Sequence, residues 1–155
     1  IAAPMRLGGI VADANKHQLN VLSGFSLNLG RGFQLIDDVL DITSDFKGLK
    51  QKGNDIYEGK RSLILGHVLR ISSIKDRKKI LSIVNKRREN IKQEEVDWVI
   101  EKMQIYGSID YAKNLAKKYK QKALQIFEKD LKFLSKQPHR NNLKHLIDFI
   151  IERKY

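Results

Sequence analysis

Between Pro4 and Pro138 the chain contains no proline, and its apolar residues recur mostly at intervals of three and four. That pairing leaves few alternatives to helix. A period of 3.6 residues brings positions three and four apart onto one face, whereas a half-buried strand needs strict alternation. No segment alternates in that way, and no internal repeat stands out. The breaks in the pattern predict helices over 3–21, 25–43, 60–71, 75–89, 94–106, 109–135 and 141–153. Pro4 is tolerated in a first helical turn. Ser23-Gly24, Ser72-Ser73 and Gln137-Pro138 are the expected stops, and residues 43–59, with Gly48, Gly53 and Gly59, the expected polar loop. Ser108 is the expected N-cap of the longest helix. The fold class expected is all-α: one helical segment over residues 1–155, its helices antiparallel with short connections.

With 155 residues the chain is long enough to bury a core. It has no cysteine, which excludes disulfides, thiolate metal sites and thiol nucleophiles. No apolar stretch approaches the roughly 20 residues that span a bilayer, and no basic-then-apolar signal opens the chain. A soluble cytoplasmic protein without a membrane span is the expectation. The start at Ile1, running straight into IAAPMRLGG, reads as the interior of a longer sequence.

The net charge of +12 is uneven. Residues 1–60 hold seven Lys/Arg and seven Asp/Glu, so the remaining residues carry all of the excess. A basic surface attracts polyanions without choosing among them. KDRKK (75–79) and NKRRENIK (85–92) make the best case for a nucleic-acid surface, yet no aromatic is interleaved and no helix-turn-helix or finger pattern occurs. These runs read as a solvated basic face, and no nucleic-acid partner is expected. His17, His67, His139 and His145 show no mutual metal spacing. Trp98 and Tyr106 read as packing residues.

FQLIDDVLDI, residues 33–42, sets three carboxylates into an otherwise apolar run. Gln34, Asp37, Asp38 and Asp41 fall on one helical face, where like charges repel by about a few tenths of a kcal/mol per exposed pair, and more where water is excluded. A solvated face would explain them, but no Lys or Arg occurs from residue 32 to 46. A divalent cation would also explain them. Oxygen donors without Cys or His favour a hard ion such as Mg²⁺, which takes one or two carboxylates and fills its shell with water and phosphate. Spacing alone leaves both readings open. KQKGNDIYEGKR (50–61) then offers Lys50, Lys52, Lys60 and Arg61 among glycines that permit close backbone approach. This suits a diphosphate, although any one of these could be an ordinary loop cation. It is not a P-loop: Arg61 stands where Ser or Thr is required, and Asn54 where the first Gly is required.

The two blocks FQLIDDVLD and KQKGNDIYEGKRSL, in this order and at this distance, resemble the second aspartate-rich motif and following loop of the trans-isoprenyl diphosphate synthases, in flavour the archaeal geranylgeranyl or farnesyl diphosphate synthases. IAAPMRLGGIVADA resembles the helix after that family's Lys-Thr motif. The resemblance covers the whole chain but only the C-terminal half of a family member. The first aspartate-rich motif, the Lys-Thr motif and the arginines that bind isopentenyl diphosphate have no counterpart here.

That resemblance implies the C-terminal half of the isoprenoid synthase helical bundle. It also implies a prenyltransferase that joins isopentenyl diphosphate to an allylic diphosphate through Mg²⁺-assisted ionisation. Carried over, Asp37 becomes the principal metal ligand, completed by Asp38 and Asp41 directly or through water. Gln34 sits beside the allylic diphosphate and the reacting carbons, and Phe33 lines the prenyl pocket. Lys50 matches the first loop lysine, with Leu49 in place of the usual preceding Gly and Lys52 as its neighbour. Asp55 matches the loop aspartate, and Lys60 the second lysine, near the diphosphate. Arg153 and Lys154 match a basic C-terminus over the isopentenyl diphosphate site. Gln34, Asp37 and Lys60 are thus the expected catalytic residues. The expected partners are the two diphosphates, the N-terminal half of the synthase on the same or a separate chain, and a second copy in a homodimer. Alone, the chain is expected to be inactive. The alternatives are a non-catalytic partner subunit of the same fold and, less favoured, a basic helical nucleic-acid-binding module.

Overall fold

The computed structural model describes residues 1–44 and 51–152, the last three as backbone alone. Among the described residues every regular element is helical: α1 (Ala2–Val11), α2 (Lys16–Thr43), α3 (Asn54–Tyr57), α4 (Leu63–Ile71), α5 (Ile74–Val84), α6 (Gln93–Ile105), α7 (Ser108–Lys129) and α8 (His139–Glu152), with single 3₁₀ turns at Arg88–Asn90 and Leu131–Phe133. The all-α expectation holds among the described residues.

Several boundaries differ from the pattern reading. Ser23-Gly24 does not break a helix: α2 runs through it for 28 residues. The Ser23 hydroxyl turns back onto the Leu19 carbonyl at 2.8 Å, so it satisfies itself inside the helix and leaves the backbone ladder undisturbed. The true break lies at Ala12–Asn15, where Asp13 takes a positive φ of 54°. There Asn15 and Gln18 form a reciprocal cap. The Asn15 side chain accepts from the Gln18 amide at 3.0 Å, and the Gln18 side chain accepts from the Asn15 amide at 2.9 Å. This is a capping box, and Asn-x-x-Gln was legible in the sequence. α4 begins at Leu63 rather than Lys60 because the Ser62 hydroxyl caps it, accepting from the Leu65 amide. Ser73 caps α5 in the same way, and α5 ends at Val84, short of the basic run, which turns instead through Arg88–Asn90. α7 stops at Lys129 rather than 135. Its terminal carbonyls and those of the following turn are taken by Arg140, whose guanidinium donates to Phe127 O, Leu131 O and Leu134 O.

The chain forms two compact units, one drawn from residues 1–34 and from 115 onward, the other from residues 35–114. In the first, Leu22, Phe25 and Leu29 of α2 are buried, as are Ala116, Ala123 and Phe127 of α7, Leu131 and Ile147. Phe25 and Phe127 meet with ring centroids 6.3 Å apart, and Arg31 lies over the Tyr119 ring at 5.8 Å. In the second, the buried set includes Leu35, Val39 and Ile42 of α2, Ile64, Leu65 and Val68 of α4, Ile80 and Ile83 of α5, and Val96, Val99, Ile100 and Met103 of α6. Apolar side chains at three- and four-residue steps on α4, α5 and α6 thus close one core. Trp98 of α6 is half-buried between two ammonium groups, Lys79 at 4.0 Å and Lys102 at 5.4 Å from its ring centroid. The packing role expected of Trp98 is therefore filled partly by cation–π contact. No described helix is long and apolar enough to cross a membrane.

His67 of α4 stacks on Tyr111 at 4.0 Å, with Nδ1 3.0 Å from the Ser108 hydroxyl. Burial, with Arg70 nearby, lowers its pKa below the usual 6.5. The folded state therefore prefers neutral His67, and this contribution is present above pH 6.5 and lost as pH falls from 6.5 through the lowered value. Urea midpoints at pH 7.5 and 5.5 are expected to differ more in the wild-type chain than in His67→Gln. Removing the α2 cap by Asn15→Ala is expected to cost about 1 kcal/mol in the same measurement.

Candidate functional site

A helix of four residues has no stability of its own; α3 exists because both of its ends are fastened. At its start the Gly53 amide donates to the Asp41 carbonyl at 2.8 Å. The Asp41 carboxylate then accepts from the Asp55 amide at 2.9 Å. Gly53 occupies the N-cap position but has no side-chain oxygen, so the cap is supplied from α2 instead. Only glycine suits this position. Its φ is 75°, and a Cβ there would lie 2.6 Å from Val96 Cγ1 and 3.2 Å from Ile100 Cδ1.

At its end the Gly59 amide donates to Ile56 O at 3.1 Å and the Lys60 amide to Asp55 O at 2.9 Å, with Gly59 at φ 61°. This is the paired bonding of a Schellman motif with a left-handed glycine. A Cβ on Gly59 would also press against the Val84 carbonyl at 3.1 Å. Lys60 therefore leaves the helix at once, which is why α4 cannot begin with it.

Asp55 is tied to Lys60 twice: by its carbonyl to the Lys60 amide, and by its carboxylate to the Lys60 ammonium. Nζ of Lys60 donates to Asp55 Oδ2 at 2.6 Å and to Asp38 Oδ1 at 2.9 Å. Asp38 and Asp41 are buried at 6% and 2% exposure, while the Lys60 side chain keeps 38% of its surface open. Burial raises the Asp55 carboxyl above its ordinary value, and the charges of Asp41 and Asp38 add to that rise against the Lys60 hydrogen bond. Burial acts to lower the Lys60 ammonium, but its bonds to Asp55 and Asp38 outweigh this and hold it above the ordinary lysine range. One ammonium thus answers to two carboxylates, Asp38 and Asp55, with Asp41 close by on the Asp55 amide. Such a cluster favours additional positive charge.

Of the residues singled out from the sequence, the structure brings Asp38, Asp41, Asp55 and Lys60 together. Asp37 is half-buried on the same stretch of α2. Phe33, half-buried, and Gln34, exposed, also lie on α2, in residues assigned to the other compact unit. Lys50 and Arg153 lie outside the described residues. Among the described residues no three His, Asp or Glu side chains converge so as to hold a metal.

The surroundings of α3 were not anticipated. Arg88 donates to Asn54 Oδ1 at 2.7 Å and Glu58 Oε1 at 3.3 Å, and Asn54 itself donates to Glu58 at 2.8 Å. Tyr57, buried, donates its hydroxyl to Gln93 at 2.9 Å. Arg61 reaches Asn85 at 2.6 Å. Arg88 and Asn85 follow the site residues by more than twenty positions, and nothing in their spacing announces the contacts.

Residues 1–103 match the family model described as Polyprenyl synthetase. The chain is 36% identical over 159 residues to the short chain isoprenyl diphosphate synthase of Methanocaldococcus jannaschii, covering 100% of this chain and 45% of that protein. It is 32% identical to the geranylgeranyl diphosphate synthase of Sulfolobus acidocaldarius, covering 99% of this chain and 45% of that one. Among solved structures it is similar to geranylgeranyl pyrophosphate synthetase from Pyrococcus horikoshii Ot3, with TM-score 0.78, 37% identity, 96% of this chain and 43% of that chain. It is also similar to polyprenyl synthase from Caulobacter crescentus CB15 complexed with calcium and isoprenyl diphosphate, with TM-score 0.80, 26% identity, 99% of this chain and 45% of that chain. The chain spans about half the length of the curated relatives it matches.

Gly53→Ala combines a disfavoured φ with a clash against α6 and is expected to cost about 2 kcal/mol in urea unfolding.

Proposed function

The chain belongs to the polyprenyl synthetase family, and we propose that it contributes the second aspartate-rich half of a prenyl diphosphate synthase. In this reading the assembled enzyme joins isopentenyl diphosphate to an allylic diphosphate. The single observation that carries it is the Lys60 ammonium held between Asp38 and Asp55 at the exit of α3, beside a buried acidic face. A cation-rich ligand and a diphosphate are the two complementary charges such a group of residues can accept together.

The donor set fits a hard divalent ion, because every acidic group there offers oxygen and no Cys or His intervenes. The three aspartates of α2 do not converge by themselves; Asp37 would be the principal ligand of Mg²⁺, with Asp38 and Asp41 joining directly or through water once diphosphate and the facing half of the enzyme complete the shell. When bound, Mg²⁺ supplies the positive charge that draws electrons onto a departing diphosphate. The chain's own residues do the remainder. Lys60, kept protonated by its two carboxylates, donates to diphosphate oxygens and stabilises the negative charge that grows there. Asp55 and Asp38 aim that ammonium. Gln34 flanks the allylic diphosphate and the reacting carbons, and Phe33 lines the channel for the prenyl chain. Lys50 and Arg153 add cationic contacts to the diphosphates. The relative crystallised with calcium and isoprenyl diphosphate supports a divalent metal and this substrate class. Because the matched relatives are about twice as long, we further propose that the chain acts only when completed by the other half of the synthase, on the same or another chain, in a cytoplasmic homodimer.

Titration calorimetry with inorganic pyrophosphate is the test. The wild-type chain is expected to bind pyrophosphate only when Mg²⁺ is present, and Lys60→Met to weaken that binding about tenfold, the loss of one charge-assisted hydrogen bond. Binding independent of Mg²⁺, or untouched in Lys60→Met, would overturn the reading. Elongation of an allylic diphosphate by the isolated chain would overturn the requirement for a second half.

A further inference from the structure

The α3 turn carries Asp55 in its body and releases Lys60 at its end, yet its own hydrogen bonds are few. Outside the acidic face, one side chain grips it at both ends. The Arg88 guanidinium donates to Asn54, the first residue of α3, at 2.7 Å and to Glu58, its C-cap, at 3.3 Å. Between those two contacts it lies 5.7 Å from the centroid of the buried Tyr57 ring. Asn54 and Glu58 are also bonded to each other at 2.8 Å, so the three side chains close a brace along the outer side of the turn. A neighbouring bond acts in the same direction. Asn85 accepts from Arg61 at 2.6 Å, fixing the residue after Lys60 to the segment that precedes Arg88. The planar guanidinium, with donors on two nitrogens, can span two acceptors on successive turns; a lysine point charge cannot.

We propose that Arg88 is a positioning residue for Lys60: by bracing Asn54 to Glu58 it fixes the turn whose end delivers the Lys60 ammonium to Asp38 and Asp55. The hydrogen bonds of Arg88 to α3 go to Asn54 and Glu58, and it is not expected to contact diphosphate. Its effect on ligand binding is therefore indirect, runs through Lys60, and rests on the reading given under the proposed function.

Two measurements on the 155-residue chain separate that effect from a general loss of stability. The first is amide hydrogen exchange. Arg88→Ala is expected to speed exchange at Ile56, Gly59 and Lys60 about two- to fivefold, the scale of a half-exposed ion pair, while amides of Val99 and Ile100 in α6 stay unchanged. Arg88→Lys is expected to restore protection only in part. The second is a double-substitution cycle on magnesium pyrophosphate affinity. Arg88→Ala is expected to weaken binding about two- to fivefold in the wild-type background and not at all in Lys60→Met. Unchanged exchange at α3 would overturn the proposal whatever the affinities. Additive losses in the cycle would overturn it by showing that Arg88 acts independently of Lys60. Faster exchange at α3 in a chain that binds no magnesium pyrophosphate would support the brace while removing the diphosphate reading of the site.

Discussion

One buried carboxylate organises the candidate site. Asp41 sits at 2% exposure near the end of α2 and gives its side chain to the Asp55 amide and its carbonyl to the Gly53 amide. A capping bond of this kind contributes on the order of 1 kcal/mol, but its structural reach is larger. Without it the four residues after Gly53 lose the fastening at the start of their turn. Without that turn, Asp55 and Lys60 lose the geometry that brings them to Asp38. An acidic residue in an apolar run, awkward as a packing choice, acts as the fastening between a long helix and a short one.

The same feature divides labour within the acidic stripe. Asp37, Asp38 and Asp41 look equivalent as letters at helical spacing, but their surroundings differ. Asp41 holds backbone, Asp38 holds the Lys60 ammonium, and Asp37 is half-buried nearby on the same helix. Repulsion among them is met partly by one lysine and partly by an amide dipole. Burial raises the Asp55 carboxyl, and the Asp41 and Asp38 charges add to the rise against the Lys60 hydrogen bond.

Helix was legible because it rests on local periodicity, and the family was legible because FQLIDDVLD and KQKGNDIYEGKRSL are specific in order and spacing. The boundaries were less so. Ser23-Gly24 looks like a break, but a serine whose hydroxyl bonds the carbonyl four residues earlier does not interrupt a helix. Asn15 and Gln18 are a real start signal, overlooked because asparagine stands where serine or threonine is usually sought. The glycines at 53 and 59 were visible as loop markers. Their true role, two left-handed residues that begin and end one turn, follows from what they pack against: Val96 on one side and the Val84 carbonyl on the other. Arg88 was illegible altogether, since its partners Glu58 and Asn54 are thirty and thirty-four positions away. Contacts of that range are set by tertiary packing, and neither propensity nor spacing encodes them.

Trp98 is the chain's single tryptophan, and it lies in the unit built from residues 35–114. Its indole lies against Lys79 and Lys102, so selectively excited tryptophan fluorescence observes that unit and is silent about the other. Far-ultraviolet circular dichroism, by contrast, sums over every helix. Whether the two optical signals change together or apart under denaturant is then a direct reading of how cooperatively this protein melts.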